Sequence, residues 1–240
     1  MTLPSHPATA QPPKRQPLAT SKAWAAILFD LDGTLVDSAP DLGGAGNDMR
    51  RARGLPLLPL AHFRPMVGSG ARGMVERALG VLPTDPLFDA LRDEFLARYE
   101  ARMTRDTVLF PATAAMLQGL REHELPWAIV TNKARRFSEP LVAWFDALAD
   151  TATLVSGDTT AHAKPHPAPL LEAARRMAID PARCVYVGDD LRDVQAGAAA
   201  GMVTIAVRWG YLGAGEPIEQ WGADYVIDSP PDLLKLLAIA

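Results

Sequence analysis

The sequence predicts an α/β protein in which a doubly wound, mostly parallel sheet carries an inserted helical cap domain. Two observations support the sheet: short runs rich in β-branched residues recur along the chain, and segments with helical spacing separate them. A third observation supports the cap, because helical spacing replaces the strand runs between residues 40 and 108. This alternation favours right-handed crossovers and a sheet covered by helices on both faces.

The elements of the core domain follow in order. A buried strand is predicted at Ile27 to Phe29, and it ends in the segment Asp-Leu-Asp-Gly-Thr-Leu-Val-Asp-Ser, residues 30–38. Helices are predicted at 112–123, 134–145, 168–178 and 190–200, with a last helix from Pro231. Strands are predicted at 127–130, 153–155, 184–187, 203–207 and 225–227. The core domain therefore comprises residues 23–38 and 109–240, and the cap comprises residues 39–108.

Within the cap, Leu91, Phe95 and Tyr99 recur at four-residue intervals and predict a helix over 89–103. Residues 67–73, Val-Gly-Ser-Gly-Ala-Arg-Gly, are expected to form a flexible turn that leads into a helix over 74–79. An ordinary loop between two helices is the alternative interpretation of this turn.

Composition narrows the class of protein. The chain has 240 residues, of which 48% are hydrophobic, and its net charge of −4 comes with scattered positive residues. These features support a substantial interior and argue against nucleic acid or an anionic membrane as partner. The single cysteine, Cys184, excludes an internal disulfide and suits the cytoplasm. Residues 1–22 are rich in proline and contain no hydrophobic signal segment, so we expect a disordered tail there.

Polar side chains follow several predicted strands at the point where each strand ends. Because the carboxyl ends of parallel strands meet at one edge of a sheet, we expect these side chains to form one pocket. The residues are Asp30, Asp32, Thr131, Asn132, Asp189, Asp190 and Asp193, with Lys164 ahead of a helix. Taken singly, each has an ordinary explanation: Asp190 suits a helix N-cap, and Asp193 suits the positive end of a helix.

The pocket would suit a phosphate ester. Asp30, Asp32 and Asp189 offer the oxygen ligands that Mg²⁺ prefers. Thr131 and Lys164 can donate hydrogen bonds to phosphate oxygens. Free backbone N–H groups in the turn around Gly33 would hold the remaining phosphate oxygens.

These motifs resemble the phosphatases of the haloacid dehalogenase superfamily. The resemblance covers residues 23–240 and rests on residues 30–38, Thr131-Asn132-Lys133, Lys164-Pro165 and 188–193. The helical block is similar to the C1-type cap of that superfamily. Residues 67–72 and 222–227 most resemble phosphoglycolate phosphatases.

The resemblance implies a role for each matched residue. Asp30 is then the nucleophile that forms an aspartyl-phosphate, and Asp32 is the acid that later acts as base. The implied Mg²⁺ ligands are the Asp30 side chain, the Asp32 main-chain carbonyl and Asp189, with Asp193 in the outer shell. The implied phosphoryl-binding residues are Thr131, Asn132 and Lys164. One departure is Asp190, where these enzymes often have a small hydroxyl residue.

The expected function is therefore hydrolysis of a small phosphomonoester, with phosphoglycolate first and an amino-sugar 6-phosphate second. Arg72 is a candidate for binding a substrate carboxylate, since guanidinium groups bind carboxylates in bidentate fashion. A phosphomutase of the same fold is a further alternative. A phosphoacceptor signalling module is disfavoured because it has no helical lid. We expect a monomer or a homodimer.

Overall fold

A six-stranded parallel sheet forms the centre of the computed structural model, which describes residues 24–213 and 215–239. The strand order is β5-β4-β1-β6-β7-β8. The strands are β1 (Ala26–Phe29), β4 (Trp127–Val130), β5 (Leu154–Val155), β6 (Cys184–Gly188), β7 (Val203–Val207) and β8 (Tyr225–Ile227). The predicted tail over residues 1–22 lies outside the described residues.

Helices cover both faces of this sheet. They are α5 (Thr113–Glu122), α6 (Arg135–Trp144), α7 (Ala168–Arg176), α8 (Leu191–Ala199) and α9 (Pro230–Leu236). Side chains alternate along each strand, so Ile27 and Phe29 pack with α5, α6 and α9 on one face. Ala26 and Leu28 pack with α7 and α8 on the other face. The predicted doubly wound sheet is confirmed, and Cys184 is a buried strand residue as expected.

The strand register brings three polar segments together. Phe29 of β1 pairs with Ile129 of β4 on one side and with Val187 of β6 on the other. The residues that follow these strands therefore leave the sheet at the same edge. Asp30 lies at its centre, between the segments that begin at Thr131 and at Asp189.

The helical block lies between two short antiparallel strands, β2 (Val36–Asp37) and β3 (Val108–Leu109). Its helices are α1 (Ala39–Arg51), α2 (Leu60–Phe63), α3 (Gly70–Leu79) and α4 (Phe88–Glu100). They share a hydrophobic cluster that also contains Phe137 and Tyr211 from the core side. The block is thus packed against the sheet edge that carries Asp30, while the division into two domains stays a prediction.

The predicted flexible turn over residues 67–73 is wrong in one respect. A 3-10 helix runs from Arg64 to Ser69, and α3 begins at Gly70 rather than at residue 74. Gly70 has φ of +61°, a conformation that glycine adopts without strain, and this allows the change of direction between the two helices.

No helix within 24–213 or 215–239 is both long enough and apolar enough to cross a bilayer.

Candidate active site

Asp30 is the residue around which the site is arranged. It follows β1 directly, and its Oδ1 lies 2.8 Å from Nζ of Lys164. Burial raises the pKa of Asp30 to about 7, because the charged form is poorly solvated there. Lys164 opposes this shift, whereas the neighbouring carboxylate of Asp193 adds to it. Asp30 is therefore a buried carboxylate whose charge depends on nearby cations.

Lys164 is buried and connects the two carboxylates. Its ammonium group lies 2.8 Å from Asp193 Oδ1 and donates to the Val130 carbonyl at 3.0 Å and to the Tyr186 hydroxyl at 2.8 Å. Burial alone would lower the pKa of Lys164, but Asp193 and Asp30 raise it above its ordinary value. The lysine therefore stays charged, and its position is set by contacts on several sides.

Asp189 completes a group of three buried carboxylates with Asp30 and Asp193, in which one oxygen of each lies within 4.8 Å of the others. Asp189 accepts hydrogen bonds from the Thr34 hydroxyl at 3.1 Å and from the Tyr211 amide at 2.8 Å. Burial, together with the charges of Asp30 and Asp193, raises the pKa of Asp189 well above its ordinary range.

This donor set fits a divalent cation such as Mg²⁺. Within the described residues, three buried carboxylates face a single ammonium group, that of Lys164, so the cluster carries excess negative charge. Hard oxygen ligands are those that Mg²⁺ selects. Asp193 is also engaged with Lys164, with the Tyr186 hydroxyl at 3.2 Å and with the Asp190 amide at 3.1 Å, which suits the outer position expected for it.

Asp32 faces the same cavity but lies outside the carboxylate group. Its carboxylate accepts from Lys133 Nζ at 3.0 and 3.1 Å and from the Ser38 hydroxyl at 2.5 Å. The buried ammonium group of Lys133 lies 4.7 Å from the ring centroid of Tyr99, on helix α4 of the helical block. The two aspartates that were predicted to share the pocket therefore have separate cationic partners.

Thr131 and Asn132 follow β4 as predicted, but only the Thr131 hydroxyl keeps a proton free for a ligand, whereas the Asn132 side chain binds the main chain of Lys164. Thr131 is buried and lines the cavity, and its Oγ1 accepts from the Lys133 amide at 3.1 Å, which leaves its proton free for a ligand. The Asn132 side chain donates to the Lys164 carbonyl and accepts from the Lys164 amide, both at 2.9 Å. The side-chain amide that was expected to bind phosphate is therefore used to position Lys164.

The turn after Asp30 corrects the prediction for Gly33. The Gly33 amide donates to the Val36 carbonyl at 2.9 Å, so it is not free to bind phosphate. The amides of Leu31 and Asp32 donate to no other group in the described part of the chain. Gly33 instead has a φ of +90°, and a Cβ at this position would lie 2.1 Å from Asp189 Oδ2. Its role is to let the chain pass close to the carboxylate group.

Arg72 is exposed and does not line the cavity that contains Asp30. It borders a second cavity with Asp190 and Arg192. There the Arg192 guanidinium binds both oxygens of Asp190 and donates to the carbonyl of Gly68 in the helical block. Asp190 also caps α8, as its N-cap interpretation predicted. The placement of Arg72 therefore does not support its predicted contact with a substrate carboxylate.

A cavity of about 470 Å³ lies between the helical block and the sheet edge. Its floor contains the carboxylates, Thr131 and the two lysines described above, and its walls come from the helical block, from α6 and from the segment after β7. The apolar and aromatic wall residues are Leu42, Val67, Ala71, Phe95, Leu96, Tyr99, Phe137 and Tyr211. The arrangement can hold a phosphate group at the floor and an organic group above it.

Sequence reasoning missed three contributors to this site. Lys133 belongs to the quoted Thr-Asn-Lys motif, but its contact with Asp32 depends on the fold of two distant segments. Tyr186 looks like an ordinary strand residue, yet its hydroxyl reaches Lys164. The Tyr211 hydroxyl accepts from the amides of Ser38 and Ala39 and follows no recognisable motif.

Comparison with known proteins agrees with the family that the motifs resemble. A family model described as "Haloacid dehalogenase-like hydrolase" matches residues 27–207. A phosphoglycolate phosphatase of Xanthomonas campestris pv. campestris is 45% identical over 209 residues, which cover 87% of this chain and 94% of the relative. An N-acetylmuramic acid 6-phosphate phosphatase of Pseudomonas putida is 40% identical over 212 residues, covering 88% of this chain and 95% of the relative.

A solved structure shows the same architecture. The crystal structure of a predicted phosphoglycolate phosphatase from Haemophilus somnus 129PT aligns with a TM-score of 0.79 at 28% identity. The alignment covers 89% of this chain and 98% of that chain, so it includes both the sheet and the helical block.

Proposed function

Because the chain belongs to the haloacid dehalogenase-like hydrolase family, we propose that it is a magnesium-dependent phosphomonoester phosphatase that works through an aspartyl-phosphate on Asp30. One observation carries this proposal. The Asp30 carboxylate lies in a group of three buried carboxylates with Lys164 as their cation, at the floor of a cavity that also contains Asp32 and Thr131. Phosphate transfer uses a nucleophile, a cation and hydrogen-bond donors in this arrangement.

In the first half-reaction, a carboxylate oxygen of Asp30 forms a bond to phosphorus while the bond from phosphorus to the ester oxygen breaks. Asp32 gives a proton to the leaving oxygen. Hydrogen bonds from Lys133 and Ser38 hold the Asp32 carboxylate in place. In the second half-reaction, Asp32 takes a proton from water as the water oxygen attacks phosphorus, which restores the Asp30 carboxylate.

Other residues stabilise the phosphoryl group. Thr131 and Lys164 donate to its oxygens, together with the free amides of Leu31 and Asp32. Mg²⁺, held by Asp30 and Asp189 with Asp193 behind them, would neutralise charge between the anionic nucleophile and the anionic ester.

Phosphoglycolate is the first candidate substrate, since it is named for the relative that is 45% identical. N-Acetylmuramic acid 6-phosphate is the second, named for the relative that is 40% identical. The cavity favours the second candidate, because about 470 Å³ is far more than a two-carbon acid fills. Both esters carry a carboxylate in addition to the phosphate.

We also propose a cytoplasmic enzyme that is a monomer or a homodimer. The single cysteine is buried in β6 and suits a reducing compartment. A phosphomutase would use the same aspartates, and product analysis separates the two activities, since a mutase returns an isomeric ester without releasing inorganic phosphate.

The test uses the full chain with Mg²⁺ and measures inorganic phosphate released from p-nitrophenyl phosphate and from both candidate esters. Phosphate release should stop in EDTA and should fall by at least about 10³-fold in Asp30→Asn. The matched control is Asp228→Asn, which removes a carboxylate from an exposed surface pair with Arg208 and should leave the rate unchanged. Activity of Asp30→Asn close to that of the control would overturn the proposal.

A further inference from the structure

The positively charged side chains around the cavity differ in whether a carboxylate of the protein pairs with them. Five cationic side chains line it: Lys133, Lys164, Arg92, Arg136 and Arg192. The two lysines face Asp32 and Asp30, and Arg192 binds Asp190. Arg92 is paired with Asp89 at 2.8 Å and with Asp93 at 3.0 Å. Four of the five are therefore compensated by carboxylates of the protein itself.

Arg136 is the exception in the part of the chain that the structure describes, because no carboxylate pairs with it there. It lies in the first turn of α6, where it is exposed and lines the cavity, with its guanidinium carbon 4.3 Å from the centroid of the Phe137 ring. Stacking on an aromatic face leaves the N–H groups along the edge of a guanidinium available. A carboxylate on a bound ligand would supply the missing partner.

Tyr99 on the same wall is an aromatic wall residue. Its side chain is only 2% exposed, its hydroxyl oxygen is itself buried, and the Lys133 ammonium group lies 4.7 Å from its ring centroid. Tyr99 lines the cavity, and its ring lies 5.5 Å from that of Phe137. The two rings therefore give this wall an aromatic surface against which the apolar face of a ligand can pack.

This wall suits a ring. Phe95, Leu96, Tyr99 and Phe137 contribute apolar and aromatic surface, and Arg136 offers a polar contact. A pyranose has apolar ring faces and a rim of hydroxyl groups, and it would leave much less of the cavity unfilled than a two-carbon acid would.

We propose that Arg136 determines substrate specificity by binding a carboxylate on the leaving group. The preferred substrate class is a phosphorylated sugar acid, a pyranose phosphate with a carboxylate side arm. This inference rests on the phosphatase function proposed above.

The test compares substrates that differ in one group. N-Acetylmuramic acid 6-phosphate and N-acetylglucosamine 6-phosphate share a pyranose, and only the first has a carboxylate arm. The unmodified chain should show a higher kcat/KM for the sugar acid than for the sugar without the carboxylate, or for phosphoglycolate. In Arg136→Gln, kcat/KM for the sugar acid should fall about 10- to 100-fold, mostly through KM, the size expected for a hydrogen-bonded charge.

Controls separate recognition from folding. Arg136→Gln should change kcat/KM for N-acetylglucosamine 6-phosphate and p-nitrophenyl phosphate by less than about twofold, since neither has a carboxylate to lose. Arg135→Gln is the matched variant, because Arg135 lies next in sequence, pairs with Glu139 at 3.6 Å and does not line the cavity. It should leave all rates unchanged.

Two results would overturn the inference. One is equal loss on all esters, or no loss on any, in Arg136→Gln. The other is a higher kcat/KM for phosphoglycolate than for the sugar acid. If the proposed phosphatase function itself were wrong, the result would be distinguishable from both of these, because no ester would then give phosphate release that depends on Asp30.

Discussion

Replacing Lys164 by methionine tests the charge balance of the site most directly. The ammonium group lies 2.8 Å from both Asp30 and Asp193, and all three side chains are largely buried. Removing one partner of a buried ion pair costs about 3–5 kcal/mol, because the other charge is left without compensation. Lys164→Met should therefore lower the free energy of unfolding by about that amount and abolish phosphatase activity.

The size of the effect should depend on pH and on the second carboxylate. Lys164 lowers the pKa of Asp30, so its loss makes the ionised form of Asp30 costlier, and the destabilisation should be larger at pH 8 than at pH 5. Adding Asp193→Asn to Lys164→Met removes one of the uncompensated charges. The double variant should regain part of the lost stability and none of the activity.

The measurement is urea unfolding in EDTA at both pH values, with Lys235→Met as control. Lys235 is an exposed lysine that pairs with Asp232 at 2.8 Å, and such surface pairs contribute less than about 1 kcal/mol. The reasoning would be refuted if Lys164→Met were as stable as this control. It would also be refuted if the double variant were less stable than Lys164→Met.

Two further predictions concern the carboxylate group. Burial raises the pKa of Asp30 to about 7 and that of Asp189 well above its ordinary range, so without metal the folded state loses stability as pH rises from about 4 through 7. Mg²⁺ should consequently raise Tm more at pH 8 than at pH 5, and equal shifts in a thermal melt would contradict this. Gly33→Ala should lower kcat by at least about 10²-fold, since its Cβ would lie 2.1 Å from Asp189 Oδ2. Gly54→Ala, which also has positive φ but has open space around it, should retain activity, and similar rates for the two variants would contradict the steric explanation.

The positions of the main functional residues could be predicted because they follow from periodicity and chain direction. Strand runs alternate with helical segments, parallel strands end at one edge, and Asp30, Thr131 and Asp189 occupy those ends. The family resemblance read from the same motifs is confirmed by the matching family model and relatives. These properties depend on local sequence and on general rules of sheet topology.

The partners of individual polar groups could not be predicted in the same way. Asn132 could have bound phosphate, and only the fold places the main chain of Lys164 within 2.9 Å of its side chain. Arg72 was placed in a flexible turn beside the substrate, whereas the helix that begins at Gly70 directs it to another cavity. Hydrogen-bond partners distant in sequence depend on tertiary packing, which a single sequence does not report.

The contact between Lys133 and Tyr99 connects recognition of the leaving group with proton transfer at Asp32. The Lys133 ammonium group lies 3.0 Å from Asp32, and the Tyr99 ring, whose centroid lies 4.7 Å from it, belongs to the helical block. The surroundings of the proposed acid and base are therefore complete only when α4 lies over the sheet edge. The wall that we propose to recognise the leaving group also keeps bulk water away from Asp32. A leaving group that packs against Tyr99 would hold this wall closed, so that binding of the organic part favours proton transfer at the phosphate.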